Sequence, residues 1–316
     1  MTDPALAVLA ASFAVVTGAN DGGTILAIGL KLPRLRVWVA LVALAGSTAV
    51  VPLVLGTAVA ATFTNRLVSF GGQRTAMVIG VLTALAVVVV LTRFGQPTSL
   101  TLATVGGLTG AGAGYGLPVS TAWVVYVLAL GVAAPVVGGV VAAGVSRLLP
   151  RFLAGGALGR AHQAGFALEC LAYAANDGQK MLAVLAVATA SAASAAPARL
   201  PLWALAVMAV LFAAGSVYGL PRAGRTLGGQ ILAVRPVHAV SAEIAASATV
   251  LGCAALGVPV SMTQSVAGGL IGAGVSHGPG RVRWHAATKI AIAWLLTLPA
   301  TVLVAAGGAV VVRSVF

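Results

Sequence analysis

Long apolar runs follow one another along the chain, and short gaps that hold most of the charged residues separate them. In the first half the runs cover about residues 4–30, 37–63, 75–90 and 117–145. In the second half they cover about residues 164–190, 201–218, 239–256 and 285–312. A helix needs about 20 apolar residues to cross a bilayer, whereas the strands of a membrane barrel alternate with a period of two. The pattern therefore predicts an all-α polytopic membrane protein whose principal surroundings are the lipid bilayer.

Composition excludes several other classes of protein. Of 316 residues, 60% are hydrophobic and 7% are charged, far from the composition of a soluble domain. The net charge of +13 does not predict a nucleic-acid partner, because most basic residues lie in the short gaps where they orient a membrane protein. The sequence has no Walker motif, no nucleophile–base pair and no metal-binding histidine cluster. We expect neither an enzyme nor an organic cofactor.

Two patterns recur along the chain and predict an internal repeat. The tetrapeptide Ala-Asn-Asp-Gly occurs at residues 19–22 and again at residues 175–178. The spacing Gly-x-Pro-x-Ser-x-Thr occurs at residues 95–101 and 257–263, and each copy is followed by Gly-Gly-Leu-x-Gly-Ala-Gly. We predict two transmembrane repeats, residues 1–146 and 163–316, joined by a cytoplasmic linker at residues 147–162.

The distribution of basic residues predicts that the two repeats have inverted topology. We take each Pro-x-Ser-x-Thr segment as the tip of a re-entrant helical hairpin, and the first helix of each repeat as broken at Asn-Asp. Each repeat then crosses the membrane three times. Eleven basic residues fall inside and four outside, which follows the positive-inside rule. We expect a multi-pass protein of the plasma membrane with both termini outside.

Asp21 and Asp177 are the sharpest chemical signals in the chain. A carboxylate in the middle of a membrane costs about 2.5–3.5 kcal/mol on insertion scales and normally marks a pathway or an ion site. Each follows an asparagine, Asn20 or Asn176, whose oxygen could join the carboxylate around a hard cation such as Na⁺. Alternatively, each aspartate caps a half-helix. Inverted repeats with interrupted helices are typical of secondary transporters, which bind substrate near the membrane midplane.

Four hydroxyl groups are expected at the two hairpin tips, from Ser99, Thr101, Ser261 and Thr263. Hydroxyl groups and free amides at a helix N-terminus suit a tetrahedral oxyanion, because the positive end of the helix dipole attracts negative charge. The alternative is that each hydroxyl bonds to the preceding helical turn.

Other polar residues in the apolar runs have open assignments. Lys180 either neutralises Asp177 or meets the anion, and Arg93 either faces substrate or extends towards the membrane surface. Glu169 and Glu243 carry either a coupling proton or a paired structural role. The four histidines, which we expect at the membrane interface rather than as ligands, are His162, His238, His277 and His285.

The two Asn-Asp segments and the two Pro-x-Ser-x-Thr tips together resemble the inorganic phosphate transporter (PiT) family over nearly the whole chain. The resemblance implies a secondary transporter that imports inorganic phosphate by alternating access, driven by Na⁺ or H⁺ and often dimeric. It implies phosphate-binding and cation-binding roles for Asn20, Asp21, Ser99, Thr101, Asn176, Asp177, Ser261 and Thr263. To the substrate site we add Lys180 and Arg93, and to the cation site Thr24 and Gln179, with Na⁺ placed at Asp21 and Asp177.

The chain also departs from the family pattern. Thr24 stands where the family often has a second asparagine. The tips read Ser99-Leu100-Thr101-Leu102 and Ser261-Met262-Thr263-Gln264, where the family usually continues as Ser-Thr-Thr-His. Since some relatives carry sulfate, a sulfate or other oxyanion permease of the same fold is the alternative reading.

Overall fold

The computed structural model describes residues 4–31, 35–93, 98–152, 156–189, 200–226 and 231–315, and regular structure there is helical apart from two isolated β-bridges. Within these ranges, seven helices are long and apolar enough to cross a membrane. The prediction of an all-α polytopic membrane protein is confirmed.

The first half contains seven α-helices and two π-helical turns. The helices are α1 (Pro4–Thr17), α2 (Gly23–Gly29), α3 (Val37–Leu55), α4 (Ala58–Ala61), α5 (Arg74–Arg93), α6 (Leu100–Gly114) and α7 (Thr121–Phe152). The π turns are Gly18–Gly22, between α1 and α2, and Thr62–Arg66, after α4.

Over the residues that the structure describes, the second half begins with the same arrangement as the first. Its helices are α8 (Ala157–Tyr173), α9 (Gln179–Thr189), α10 (Leu202–Thr226), α11 (Pro236–Ala255), α12 (Met262–Val275) and α13 (Trp284–Val315). A π turn, Ala174–Gly178, joins α8 to α9, just as one joins α1 to α2. Each half also has one isolated bridge, Val68–Val119 or Leu232–Val282. The opposite orientation of the two halves in the membrane stays a prediction.

The sequence led us to expect that the first helix of each half is broken at Asn-Asp. The structure shows that the helix continues there. The residues that flank Gly18–Gly22 keep right-handed helical dihedral angles, with φ −60° and ψ −45° at Thr17 and φ −59° and ψ −35° at Gly23. Tyr173 and Gln179 do the same around the second turn. The chain widens locally into a π turn, a feature that is frequent at functional sites. A widened turn presents the Asn-Asp side chains without unwinding the helix.

The arms that follow the two Pro-x-Ser-x-Thr segments are short. Helix α6 has 15 residues and α12 has 14. At about 1.5 Å per residue these arms measure roughly 22 Å, less than the ~30 Å hydrocarbon core. Their lengths favour the hairpin interpretation, although residues 94–97 of the first tip lie outside the described residues.

The linker expected at residues 147–162 is narrower in the structure. Helix α7 continues through Pro150 to Phe152, and α8 already begins at Ala157. The continuous apolar run ends near position 145, whereas the helix itself continues to Phe152.

Helices from the two halves pack against each other reciprocally. Helix α6 packs on α13 while α12 packs on α7, and α10 packs on α1 and its π turn while α3 packs on α8 and its π turn. The glycine-rich arms permit this because small residues let backbones approach closely. A side chain at Gly272 would meet the backbone of Gly139, and one at Gly110 would meet the backbone of Val302.

Candidate functional site

Four polar segments meet in the interior, although they lie far apart in the sequence. They are the π turns Gly18–Gly22 and Ala174–Gly178 and the two tips, described over residues 98–101 and 257–263. Hydrogen bonds between residues far apart in the sequence join each π turn to a tip and join the two tips to each other, as the following contacts show. The structure therefore brings the four segments together in the interior.

The first π turn reaches the first tip through Asn20. Its Nδ2 donates a hydrogen bond to Asp21 Oδ1 at 2.7 Å and lies 3.4 Å from the carbonyl oxygen of Thr98. Asp21 is only 2% exposed, whereas Asn20 is partly exposed. Asn20 therefore holds the buried carboxylate against the tip.

The second π turn holds the second tip through Asn176. Its Nδ2 donates to the carbonyl oxygen of Val258 at 2.9 Å, and its Oδ1 accepts from the amide of Val260 at 3.1 Å. The side chain thus bonds to the tip backbone on both sides of Pro259. The tip turns at Gly257, whose φ of +70° lies in a region that favours glycine.

Asp177, Lys180 and Thr101 form a polar cluster between the second π turn and the first tip. Lys180 Nζ donates to Asp177 Oδ1 and to Thr101 Oγ1, the latter at 2.5 Å. The Thr101 hydroxyl also lies 3.5 Å from Asp177 Oδ1 and 3.4 Å from the carbonyl oxygen of Val260. Of the two roles considered for Lys180, the structure shows the neutralisation of Asp177.

The two carboxylates share one electrostatic environment. Asp21 interacts with both Asp177 and Lys180. Asp177 is fully buried and Lys180 is 1% exposed, so neither aspartate faces lipid. This is the juxtaposition on which the sequence-based reading depended.

Ser99 and Ser261 are the N-cap residues of α6 and α12. Ser99 Oγ accepts from the amide of Leu102 at 3.2 Å, and Ser261 Oγ accepts from that of Gln264 at 3.4 Å. Ser261 Oγ also lies 2.9 Å from Thr263 Oγ1. The caps aim two helix N-termini at the centre, and each terminus carries about half a positive charge from its dipole.

Gln179 and Thr24, which we assigned to the cation site, form hydrogen bonds with the protein backbone. Gln179 Oε1 accepts from the amides of Val59 and Ala60 at 2.9 and 3.0 Å, so this oxygen ties down the first turn of α4. The Thr24 hydroxyl donates to the carbonyl oxygen of Asn20 at 2.9 Å. These contacts tie both side chains to the local fold, and the cation-binding assignment of Thr24 and Gln179 stays a prediction.

Arg93 lies apart from this centre. It is the last residue of α5 and its side chain is exposed. The substrate-facing position proposed from its place beside the tip is therefore not what the structure shows. A charged side chain at the end of an apolar helix can reach water along its flexible stem.

Thr98 and Tyr173 belong to the centre, although sequence reasoning missed them. Thr98 Oγ1, Tyr173 Oη and Asp177 Oδ2 are buried and have no hydrogen-bond partner among the described residues. Tyr173 interacts electrostatically with both Asp21 and Asp177. Its spacing of four residues from Asp177 puts the two side chains on one face of the helix. Buried polar groups are rarely left unpaired, so two hydroxyl groups and a carboxylate oxygen here point to a missing polar partner.

The formal charges of the centre do not cancel. Two carboxylates face one lysine, which leaves one negative charge before any ligand enters. The helix N-termini and the hydroxyl groups of Thr98 and Tyr173 supply donors for an oxyanion. An anion bound here would face repulsion from the uncompensated carboxylate unless a cation accompanies it.

The fold and this centre together define a multi-pass membrane protein with an enclosed polar site where the two π turns meet the two tips. The profile described as the phosphate transporter family matches residues 160–305. A probable low-affinity inorganic phosphate transporter of Mycobacterium tuberculosis strain H37Rv is 33% identical over 314 residues, covering 95% of this chain and 75% of that protein. The Mycobacterium leprae protein of that description is 30% identical, covering 92% and 73%.

A solved structure described as the sodium-dependent phosphate transporter has the same fold. It superposes with a TM-score of 0.78 over 98% of each chain, at 19% sequence identity. With the relatives and the profile match, the chain belongs to the phosphate transporter family, as its motifs suggested.

Proposed function

We propose that this protein imports inorganic phosphate by symport with Na⁺ or H⁺ through alternating access, and that the anion binds where the two hairpin tips meet the two π turns. The observation that carries the proposal is the convergence of Asp21, Asp177 and Lys180 with two helix N-termini in the protein interior. The relatives described as phosphate transporters support the choice of substrate.

The unpartnered oxygen Asp177 Oδ2 favours phosphate over sulfate. Phosphate at neutral pH carries a proton and can donate a hydrogen bond to a carboxylate, whereas sulfate has no proton to donate. An anion without a donor would face this oxygen with repulsion alone. Sulfate remains the rival substrate, and competition against labelled phosphate separates the two.

The mobile cation belongs beside Asp21 rather than Asp177. Asp177 already has Lys180 as a fixed positive partner, while the Asp21 carboxylate accepts a hydrogen bond from the neutral amide of Asn20. A transported cation near Asp21 would remove the remaining negative charge. This narrows the site expected from the sequence, where both aspartates were taken as Na⁺ ligands.

The proposed orientation follows from the basic gaps. Both termini would lie outside the plasma membrane, and the gap that contains Lys31 and the end of α7 would lie in the cytoplasm. A homodimer remains an expectation from the family resemblance.

The decisive experiment is phosphate uptake by the purified protein in liposomes, with Na⁺ and pH gradients imposed separately. At least one gradient should drive labelled phosphate above its equilibrium level. Asp21→Asn and Asp177→Asn should each abolish this accumulation, because each removes a charge of the central site. Arg93→Ala is the matched control and should transport like the wild type.

Uptake that only equilibrates phosphate with the membrane potential would indicate a passive anion channel. Undiminished accumulation by either aspartate variant would refute the assigned site. Stronger competition by sulfate than by unlabelled phosphate would support the rival substrate.

A further inference from the structure

A second buried polar cluster lies between α8 and α11. His162 Nδ1 lies 2.9 Å from Glu243 Oε2, and His162 Nε2 lies 2.7 Å from the carbonyl oxygen of Gly29. Glu169 interacts electrostatically with Glu243 across the same seam. The three ionisable side chains are all 0% exposed. His162, which we expected at the membrane interface, is thus buried inside the protein, and its depth in the membrane stays a prediction.

These residues share one face of α8 with the central site. His162, Glu169 and Asn176 follow each other at intervals of seven residues, close to two helical turns. Glu169 thus lies about 10 Å along the helix from Asn176. Gly165 leaves room for the partner, because a Cβ there would lie 2.8 Å from Glu243 Oε2. The cluster stands between the central site and the exposed end of α8 at Arg160.

Hydrogen-bond accounting shows what this cluster lacks. Both carboxylate oxygens of Glu169, and Oε1 of Glu243, are buried without a hydrogen-bond partner among the described residues. All three atoms are acceptors when the groups are ionised, so the cluster is short of a donor. A single proton on either carboxyl group would turn one of these acceptors into a donor. Two carboxyl groups that share a site cannot both remain ionised without a large cost.

The ligand chemistry favours a proton over a metal ion. Sodium needs several oxygen ligands, and here His162 already occupies both Glu243 Oε2 and the Gly29 carbonyl. Other nearby groups do not change this balance. The Cys170 thiol, on α8, interacts with both glutamates, and on α3 the Ser47 hydroxyl bonds to the carbonyl oxygens of Leu44 and Cys170. His238, also on α11, instead interacts with His277, Arg235 and Arg281.

The same seam is pinned at its other end by the central site. Asn176, which follows α8, bonds to Val258 and Val260, which follow α11. Since the cluster is fully enclosed in this conformation, a proton can exchange with water only when α8 and α11 separate near His162. Any movement of these helices that opens the cluster also pulls on the contacts of the second tip.

We infer that Glu169, Glu243 and His162 form a proton-binding site, and that its proton is co-transported with the anion held at the tips. Only the co-transport of the proton with the anion rests on the proposed phosphate import. The proton is held on one of the two carboxyl groups, while His162 fixes Oε2 of Glu243. Opening of the α8–α11 seam exchanges this proton with one side of the membrane.

Infrared difference spectroscopy on the purified wild-type protein tests the site without any transport. Stepping the pH in the absence of phosphate should titrate the carbonyl stretch of a protonated carboxyl group. Glu169→Gln should remove this component and Glu243→Gln should shift or remove it. His238→Gln, which deletes another buried ionisable group of α11, should leave it in place.

Phosphate uptake in liposomes tests the coupling. With the membrane potential clamped at zero and equal Na⁺ on both sides, one pH unit drives up to about tenfold accumulation per proton carried. Glu169→Gln and Glu243→Gln should lose this accumulation yet still exchange labelled for unlabelled phosphate. His238→Gln should accumulate phosphate as the wild type does.

The outcomes separate this inference from the proposed function. If both glutamine variants accumulate phosphate under a pH gradient to the wild-type level, the coupling role is overturned. A carboxyl band that responds to Na⁺ and not to pH would overturn the proton assignment. The absence of the band from the wild-type protein would overturn it as well. Because both outcomes are measured on the wild type, a variant that fails to insert into the membrane does not prevent a decision. A wild type that titrates but never transports phosphate would refute the proposed function and keep the proton site.

Discussion

Replacing Lys180 by methionine should destabilise the protein because it leaves Asp177 as an unpaired buried charge. Lys180 is 1% exposed and donates to Asp177 and Thr101, and the Asp177 side chain is fully buried. Methionine fills a similar volume, so the substitution removes the charge with little change in packing.

The size of the effect follows from what remains around Asp177. After the substitution its nearest side-chain donor is the Thr101 hydroxyl at 3.5 Å, too long for a strong hydrogen bond. Removing one member of a buried ion pair typically costs about 3–5 kcal/mol, most of it the penalty of the orphaned charge. Replacing both members by neutral groups is often close to neutral. We therefore expect Lys180→Met to lose about 3–5 kcal/mol, and Asp177→Asn with Lys180→Met to recover most of that loss.

A double-mutant cycle measures this coupling directly. The free energy of unfolding of the four proteins would be determined in mixed detergent micelles, and phosphate uptake in liposomes. Lys289→Met, at an exposed lysine on α13, is the matched control and should change stability by less than about 0.5 kcal/mol. The double variant should regain stability but not uptake, because Asp177 is still missing from the site.

A Lys180→Met protein as stable as the wild type would refute this reasoning. So would a double variant that is less stable than either single variant, since the two losses would then be independent. In either case the pair would not be the desolvated interaction that the contacts indicate.

Two further predictions concern how the centre is supported. Gln179→Ala should cost about 1–3 kcal/mol of unfolding free energy, because it leaves two buried amides of α4 without an acceptor, while the Na⁺ and pH dependence of uptake stays unchanged. Gly219→Ala should cost about 1–3 kcal/mol or more, because its Cβ would meet the carbonyl group of Ala19. Gly46→Ala, where a Cβ meets nothing within 4 Å, is the control; equal yields of both folded alanine variants would contradict the packing argument.

The positions of the central residues could be predicted from the sequence because several independent signals agreed. The Asn-Asp pair at Asn20 recurs at Asn176 in an otherwise apolar context, and the tip pattern recurs at one fixed offset. Intramembrane carboxylates and exposed backbone need an enclosed site, so the repeat implied a shared one. No contact had to be known for this step.

The pairings between helices could not be predicted in this way. His162 and Glu243 lie 81 residues apart, and only the rotation of α8 and α11 about their axes brings them together. The role of Thr98 could not be predicted either. The matching position of the second tip is a valine, Val260, so the repeat did not single out the buried hydroxyl of Thr98. The π turns also escaped prediction, because Gly and Asn-Asp favour several local conformations that break or widen a helix.

The inequality of the two halves offers a physical reason for the proposed coupling of a cation to the anion. Lys180 follows Asp177 by three residues, and the residue three after Asp21 is Thr24. The lysine neutralises its aspartate, whereas the Thr24 hydroxyl bonds to the backbone of Asn20 and leaves its aspartate without a charged partner on the same turn. A fully symmetric site with two lysines would hold phosphate without help and would have no electrostatic reason to release it together with a cation. Under the proposed symport, one fixed and one missing positive charge would make the anion affinity rise when a cation occupies the vacant position and fall when that cation leaves. A Thr24→Lys variant would fill this position permanently, so phosphate binding should no longer depend on Na⁺ and Na⁺-driven accumulation should be lost, while the pH dependence assigned to Glu169 and Glu243 should remain.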